Sequence, residues 1–140
     1  LMSKKKYKIL IVASSFYKEI TSKMISSAEV ELKKNNCSYK IFRVQGSLEI
    51  PTLISIKLKK EKYDGALALG CIVKGQTSHN EVIASTITNT LLNISIANLK
   101  PVGNAVLSCN NLKQAIARTK GSKNRAAEAV DAIISVLDNI

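Results

Sequence analysis

The sequence predicts an α/β fold, a parallel sheet covered by helices on both faces. Two observations carry that expectation. A short apolar run, a turn and a stretch of helical periodicity follow one another four times along the chain. Strand and helix alternate strictly, which calls for parallel pairing through right-handed crossovers. The composition agrees: 140 residues, 46% hydrophobic and 22% charged, suit a globular chain with a real core and exclude disorder throughout.

The first strand is expected over residues 8–13, where Ile9-Leu10-Ile11-Val12-Ala13 is apolar without alternation, as in a strand buried on both sides. After the turn Ser14-Ser15-Phe16-Tyr17, the residues Ile20, Met24, Ala28 and Leu32 recur every fourth position and mark one helical face, ended by Asn35-Asn36. Residues 39–44 alternate at first and read as an edge strand with a wetter face. Gly46-Ser47-Leu48-Glu49-Ile50-Pro51 then leads into a basic amphipathic helix carrying Leu53, Ile54 and Leu58, with Pro51 near its first turn. The third strand is predicted over 63–70 and a loop over 71–78. A helix follows over about 79–97, with Val82, Ile83, Ile87, Leu91 and Ile94 facing inward. The fourth strand is predicted over 101–107, and two helices, about 111–119 and 124–137, close the chain. No linker or low-complexity tract interrupts this series, so residues 8–138 read as one domain behind a basic tail of residues 1–7.

Twenty-one Lys and Arg against ten Asp and Glu leave a net charge of +11, which favours an anionic partner. Nucleic acid is not the expected one, because the basic residues are spread along the chain and no nucleic-acid motif occurs. No run of eighteen apolar residues exists to span a membrane. The apolar run behind Lys4-Lys5-Lys6 is too short for a signal peptide, and Leu1 ahead of Met2 reads as foreign to the natural start. Cys37, Cys71 and Cys109 show no paired spacing, which points to a reducing, cytoplasmic setting.

In a parallel α/β sheet, ligands sit beyond the carboxyl ends of the strands where the strand order reverses. Three unusual segments leave strands at that edge. In Lys74-Gly75-Gln76-Thr77-Ser78-His79 the glycine, the hydroxyls and a helix N-terminus suit a phosphate, although Thr77 or Ser78 capping the helix is the plainer reading. His79, the single histidine, is placed for proton transfer or for a surface role. Metal binding is not expected, because Cys71 and Cys109 lack metal-ligand spacing. A Cys71–His79 nucleophile pair competes with ordinary buried thiols. Glu49, a carboxylate in an apolar turn, either caps the following helix or accepts hydrogen bonds from a polyol. Phe16 either stacks on a planar heterocycle or closes the core as a lid. Arg118 and Arg125, near Lys120 and Lys123, are solvated charges or an anion clamp.

Together these segments resemble the lumazine synthases over residues 8–137. The likeness rests on Phe16 with Ile20-Thr21-Ser22-Lys23 behind it, and on Gly46-Ser47-Leu48-Glu49-Ile50-Pro51. It rests further on Ala68-Leu69-Gly70-Cys71-Ile72-Val73-Lys74-Gly75-Gln76-Thr77-Ser78-His79 and on Gln114-Ala115-Ile116-Ala117-Arg118. The resemblance implies a flavodoxin-like three-layer α/β/α sandwich with a four-stranded parallel sheet, assembled as a homopentamer with active sites between neighbours. It implies condensation of 5-amino-6-ribitylamino-uracil with 3,4-dihydroxy-2-butanone 4-phosphate to 6,7-dimethyl-8-ribityllumazine, a step of riboflavin biosynthesis that uses no cofactor and no metal. It assigns ring stacking to Phe16, ring and ribityl contacts to Ser47 and Glu49, and phosphate binding to Gly75, Gln76 and Thr77. His79 moves protons and Arg118 of the adjacent subunit pairs with the phosphate; Leu48, Cys71, Ile72, Val73 and Asn104 complete the substrate-binding positions.

The sequence departs from the family pattern in places. Leu48 and Asn104 stand where Phe is common, Lys74 replaces an Arg, and Arg125-Ala126 replaces a Lys-Gly. The chain begins close to its first strand, which favours a free pentamer over a sixty-subunit shell. The competing expectation is a non-catalytic flavin- or phosphate-binding module, against which the turn after the first strand lacks the glycine of a flavodoxin phosphate loop.

Overall fold

The computed structural model describes residues 6–75 and 79–140. Four strands, β1 (Lys8–Ser14), β2 (Ser38–Val44), β3 (Gly65–Val73) and β4 (Val102–Cys109), form one sheet. Five helices connect and follow them: α1 (Lys18–Lys34), α2 (Ile50–Lys60), α3 (Asn80–Asn98), α4 (Leu112–Ala117) and α5 (Arg125–Leu137). Single 3-10 turns at Ser47–Glu49 and Gly121–Lys123 precede α2 and α5. Every strand pair is parallel and the order is β2-β1-β3-β4. That is the flavodoxin-like order short of its fifth strand.

The alternation of side chains along a strand divides the core in two. Ile9, Ile11 and Ala13 of β1 face α1 and α5 and pack with Met24, Leu32 and Ile133. Leu10 and Val12 face the other way, against Ile54 of α2 and Ile87 and Leu91 of α3. This is the three-layer sandwich, and each fully buried Leu or Ile contributes roughly 1.5–3 kcal/mol to it. The periodicity of α1 is borne out, with Ile20, Met24, Ala28 and Leu32 all buried. So is the edge position of β2, of which no residue is fully buried, whereas β3 is buried at all nine positions.

Three expectations need correction. β3 starts two residues after Tyr63 and continues through Cys71-Ile72-Val73, so these lie in a strand and not in a loop. The pairings Cys71↔Leu107 and Val73↔Cys109 hold that extension, and β4 itself runs on to Cys109. Val82 does not face inward: it is 61% exposed. The inward face of α3 is instead Ile87 and Leu91, with Ile83 and Ile94 half-buried against the core.

Among the described residues no helix is long and apolar enough to cross a membrane. From β1 the chain moves outward to β2, then returns to the opposite side of β1 for β3 and β4. The order therefore reverses between β1 and β3, and a crevice opens at their carboxyl ends.

Candidate active site

The first wall of that crevice is the β1–α1 turn. Past the end of β1, the Ser15 N–H donates to the Val44 carbonyl (2.7 Å) and the Phe16 N–H to the Gln45 carbonyl (3.1 Å), prolonging the parallel ladder. Tyr17 then turns the chain into α1 from a left-handed conformation, φ 54° and ψ 53°. A residue with a Cβ adopts that region at a cost of roughly 1–2 kcal/mol. The Phe16 and Tyr17 rings meet edge to face, 4.8 Å between centroids. Phe16 is left 54% exposed at the mouth of the crevice.

The second wall is the 3-10 turn Ser47–Glu49. The Gly46 N–H donates to Glu49 Oε1 (2.9 Å), so this carboxylate closes its own turn. Its side chain caps this 3-10 turn and makes no capping hydrogen bond to α2. Ser47 lies close against β3: a Cβ at position 70 would sit 2.6 Å from Ser47 Oγ, so any larger residue there must turn or displace that hydroxyl. Gly70 is therefore a close-approach glycine within a strand.

The floor is the end of β3. Phe16, Ser47, Leu48, Glu49, Ile72 and Val73, with Cys71, line a pocket of about 320 Å³. Tyr17, Gly46 and Ile83 also line it. Tyr17 and Gly46 stood in the quoted motifs without a role, and Ile83 was expected only as a core residue of α3. The walls are mostly apolar, with the polar groups of Ser47 and Glu49 at one side. Burial pushes the Cys71 thiol up to about 12, helped by the nearby Cys109. A thiol held in that state is neutral at pH 7 and is no nucleophile.

Gly75 follows the strand with φ +103°, and among the described residues, its chain neighbours aside, no atom lies within 4 Å of where a Cβ would stand. Both facts suit a backbone that approaches a ligand closely. Gln76, Thr77 and Ser78 lie outside the described residues, and with them the choice between phosphate binding and helix capping. His79 is the exposed residue ahead of α3, its carbonyl accepting from the Ile83 N–H (3.0 Å). Asn80 behind it is buried and donates to Ser108 Oγ (3.2 Å), tying the start of α3 to the end of β4.

Asn104 and Arg118 do not join the pocket. With Arg125 they line a separate cavity of about 210 Å³, whose wall is the consecutive run 104–108 of β4. Consecutive strand residues point to opposite faces, so a cavity touching five in a row lies along the strand edge. β4 ends the sheet, and the cavity opens on that free flank. Arg118 Nη1 donates to the Ser108 carbonyl (3.2 Å) and to Cys109 Sγ (3.4 Å). Burial raises the Cys109 thiol while the Arg118 guanidinium pulls against it. Asn104 Nδ2 donates to Thr88 Oγ1 (3.0 Å), and its Oδ1 accepts from the Val106 N–H (3.0 Å). Among the described residues no three His, Cys, Asp or Glu side chains gather as a metal would require.

The arrangement can therefore hold a flat, partly polar molecule in one cavity and an anion at the other. Comparison with known proteins agrees with it. The family model described as 6,7-dimethyl-8-ribityllumazine synthase matches residues 6–140. A 6,7-dimethyl-8-ribityllumazine synthase of Bartonella bacilliformis is 37% identical over 132 residues, covering 92% of this chain and 87% of that protein. The enzyme of the same name in Bartonella henselae is 37% identical over 136 residues, covering 95% and 88%. 6,7-Dimethyl-8-ribityllumazine synthase 1 of Rhodopseudomonas palustris is 34% identical over 136 residues, covering 93% and 83%. With its strand order, its pocket and its sequence in agreement, the chain belongs to the 6,7-dimethyl-8-ribityllumazine synthase family.

Proposed function

We propose that the chain, through its domain of residues 8–138, condenses 5-amino-6-ribitylamino-uracil with 3,4-dihydroxy-2-butanone 4-phosphate. The product is 6,7-dimethyl-8-ribityllumazine, released with phosphate and water. The observation that carries this reading is the crevice between Phe16 and the Ser47–Glu49 turn. Phe16 and Leu48 are each 54% exposed there and face an apolar floor. Two large apolar side chains left half in water are the mark of a ligand surface. A pyrimidine ring would cover Phe16, while Ser47 and Glu49 meet its polar edge and the ribityl hydroxyls.

The chemistry asks little covalent work of the protein. The primary amine attacks the ketone and water leaves as the imine forms. Phosphate is then eliminated, and the second amine closes the ring with loss of water. His79, at the rim, moves protons in these steps. Gly75 with Gln76 and Thr77 receives the phosphate, and Arg118 stabilises it as it departs. Holding two reactants in line supplies most of the acceleration, since oriented reactions replace roughly 7–11 kcal/mol of entropic barrier.

The site is complete only between subunits in this reading, because Arg118 and Asn104 line the flank of β4 and not the Phe16 pocket. The outer face of α3 supports an assembly. That 19-residue helix carries one charged residue, Glu81, in a chain of net charge +11. Its Val82, Leu92 and Ile96 are exposed. A helix so poor in charge fits against another copy, and we take the assembly to be a homopentamer. Three unpaired buried thiols fit a cytoplasmic setting. Mixing both substrates with the protein and following lumazine absorbance tests the activity: product confirms it, and no product refutes it.

A further inference from the structure

We infer that Arg43 is a positioning residue of the heterocycle site: its guanidinium sets the β1–α1 turn and so the place of the Phe16 ring. The inference rests on the proposed function, because it assigns a heterocycle to that pocket. Arg43 lies on β2, paired with Ala13, and is absent from the pocket wall. Its Nη1 donates to the Ser14 carbonyl (2.9 Å) and to Thr21 Oγ1 (3.0 Å), and its Nη2 donates to Ser22 Oγ (2.8 Å). Thr21 Oγ1 itself donates to the Ser14 carbonyl (2.9 Å). One planar fork thus joins the last residue of β1 to the first turn of α1, spanning the three residues between them.

Those three residues are Ser15, Phe16 and Tyr17. On their other side the Ser15 and Phe16 N–H groups are held by the carbonyls of Val44, the last residue of β2, and of Gln45 just past it. The turn also contains the left-handed Tyr17, a conformation that persists only where the surroundings over-determine it. Arg43 supplies the constraint at the α1 end. Among the described residues no carboxylate stands within ion-pair distance of its guanidinium, so its partners are neutral acceptors of fixed geometry. A lysine has one nitrogen and cannot reach three acceptors as a fork does.

The test uses Arg43→Met and Arg43→Lys, each alone and combined with Phe16→Ala. Binding of 6,7-dimethyl-8-ribityllumazine is followed by its fluorescence, and KM is measured for both substrates. The expected result is a KM for the ribitylamino-uracil, and a Kd for the lumazine, raised about tenfold by Arg43→Met and less by Arg43→Lys. The KM for the butanone phosphate should stay within about twofold. In the Phe16→Ala background the Arg43 effect should vanish, because the ring through which it acts is gone. Should Arg43→Met fail to fold, Arg43→Lys carries the same comparison. Equal loss for both substrates, or an Arg43 effect undiminished without the Phe16 ring, overturns the inference. A wild-type protein that makes no lumazine, yet binds it with the Arg43 dependence described, refutes the activity and leaves the positioning role standing.

Discussion

A single methyl group at Gly70 should separate the site from the stability of the fold. The β-carbon of Gly70→Ala would stand 2.6 Å from Ser47 Oγ, 3.3 Å from Ile50 Cδ1 and 3.4 Å from Val106 Cγ1. The last two contacts are tight but tolerable, and the first requires the Ser47 hydroxyl to move. To recover an ordinary 3.4 Å contact, the Ser47 hydroxyl must retreat by about 0.8 Å, the difference between 3.4 and 2.6. Overpacking of this kind costs about 1–3 kcal/mol. Against it, a buried methyl contributes ~0.8 kcal/mol and the loss of a glycine from the unfolded chain ~0.4–1 kcal/mol. The net change in folding is then at most about 2 kcal/mol, a fall in Tm of a few degrees. The site loses more, since a misplacement near 1 Å can slow a positioned reaction by about 100-fold. Calorimetry alongside steady-state kinetics should show a KM for the ribitylamino-uracil raised by about tenfold or more. An unchanged KM with an unchanged Tm would refute the close-packing argument for Ser47.

Arg118→Ala should raise the KM for the butanone phosphate by about 10–100-fold, the worth of a charge-assisted hydrogen bond, with little effect on lumazine binding. Equal weakening of both would contradict the assignment. His79→Ala should lower kcat by less than the ~100-fold of an essential general acid, because solvent at the exposed rim substitutes for it. Cys71 gives a pH prediction. Its folded pKa is raised from 9.0 to about 12, so its contribution to stability is complete below pH 9. That contribution is lost as pH climbs from 9 toward 12, where the unfolded thiol ionises first. Denaturation at pH 7, 9 and 10.5 should show a fall that Cys71→Ala reduces; an identical fall in both would remove the thiol as its cause.

How much of this was legible in the sequence depends on how local each signal is. The burial of β1 and the face of α1 are written in consecutive or fourth-spaced apolar residues, and both were readable. The end of β3 was not, because Gly70 looks like a strand breaker. In fact it admits Ser47, a neighbour 23 positions away in the chain whose approach no local pattern reveals. Val82 was misplaced for a related reason. An apolar residue on a helix reads as core whether it faces the sheet or, as Val82 does, points away from it. Phe16, Ser47, Glu49 and Val73 were named from their motifs, and the structure places them around one pocket. Arg43 escaped notice, since its value lies in partners on two other elements.

The proposed site is shared by two subunits, and complementation between damaged subunits tests that most directly. Phe16→Ala and Arg118→Ala chains, each slow alone at substrate concentrations below the wild-type KM, would be unfolded together and allowed to reassemble. With the proposed shared site, Phe16 comes from one chain and Arg118 from the next, so random mixing should restore about a quarter of the wild-type rate. A mixture no more active than its two components would contradict the shared site.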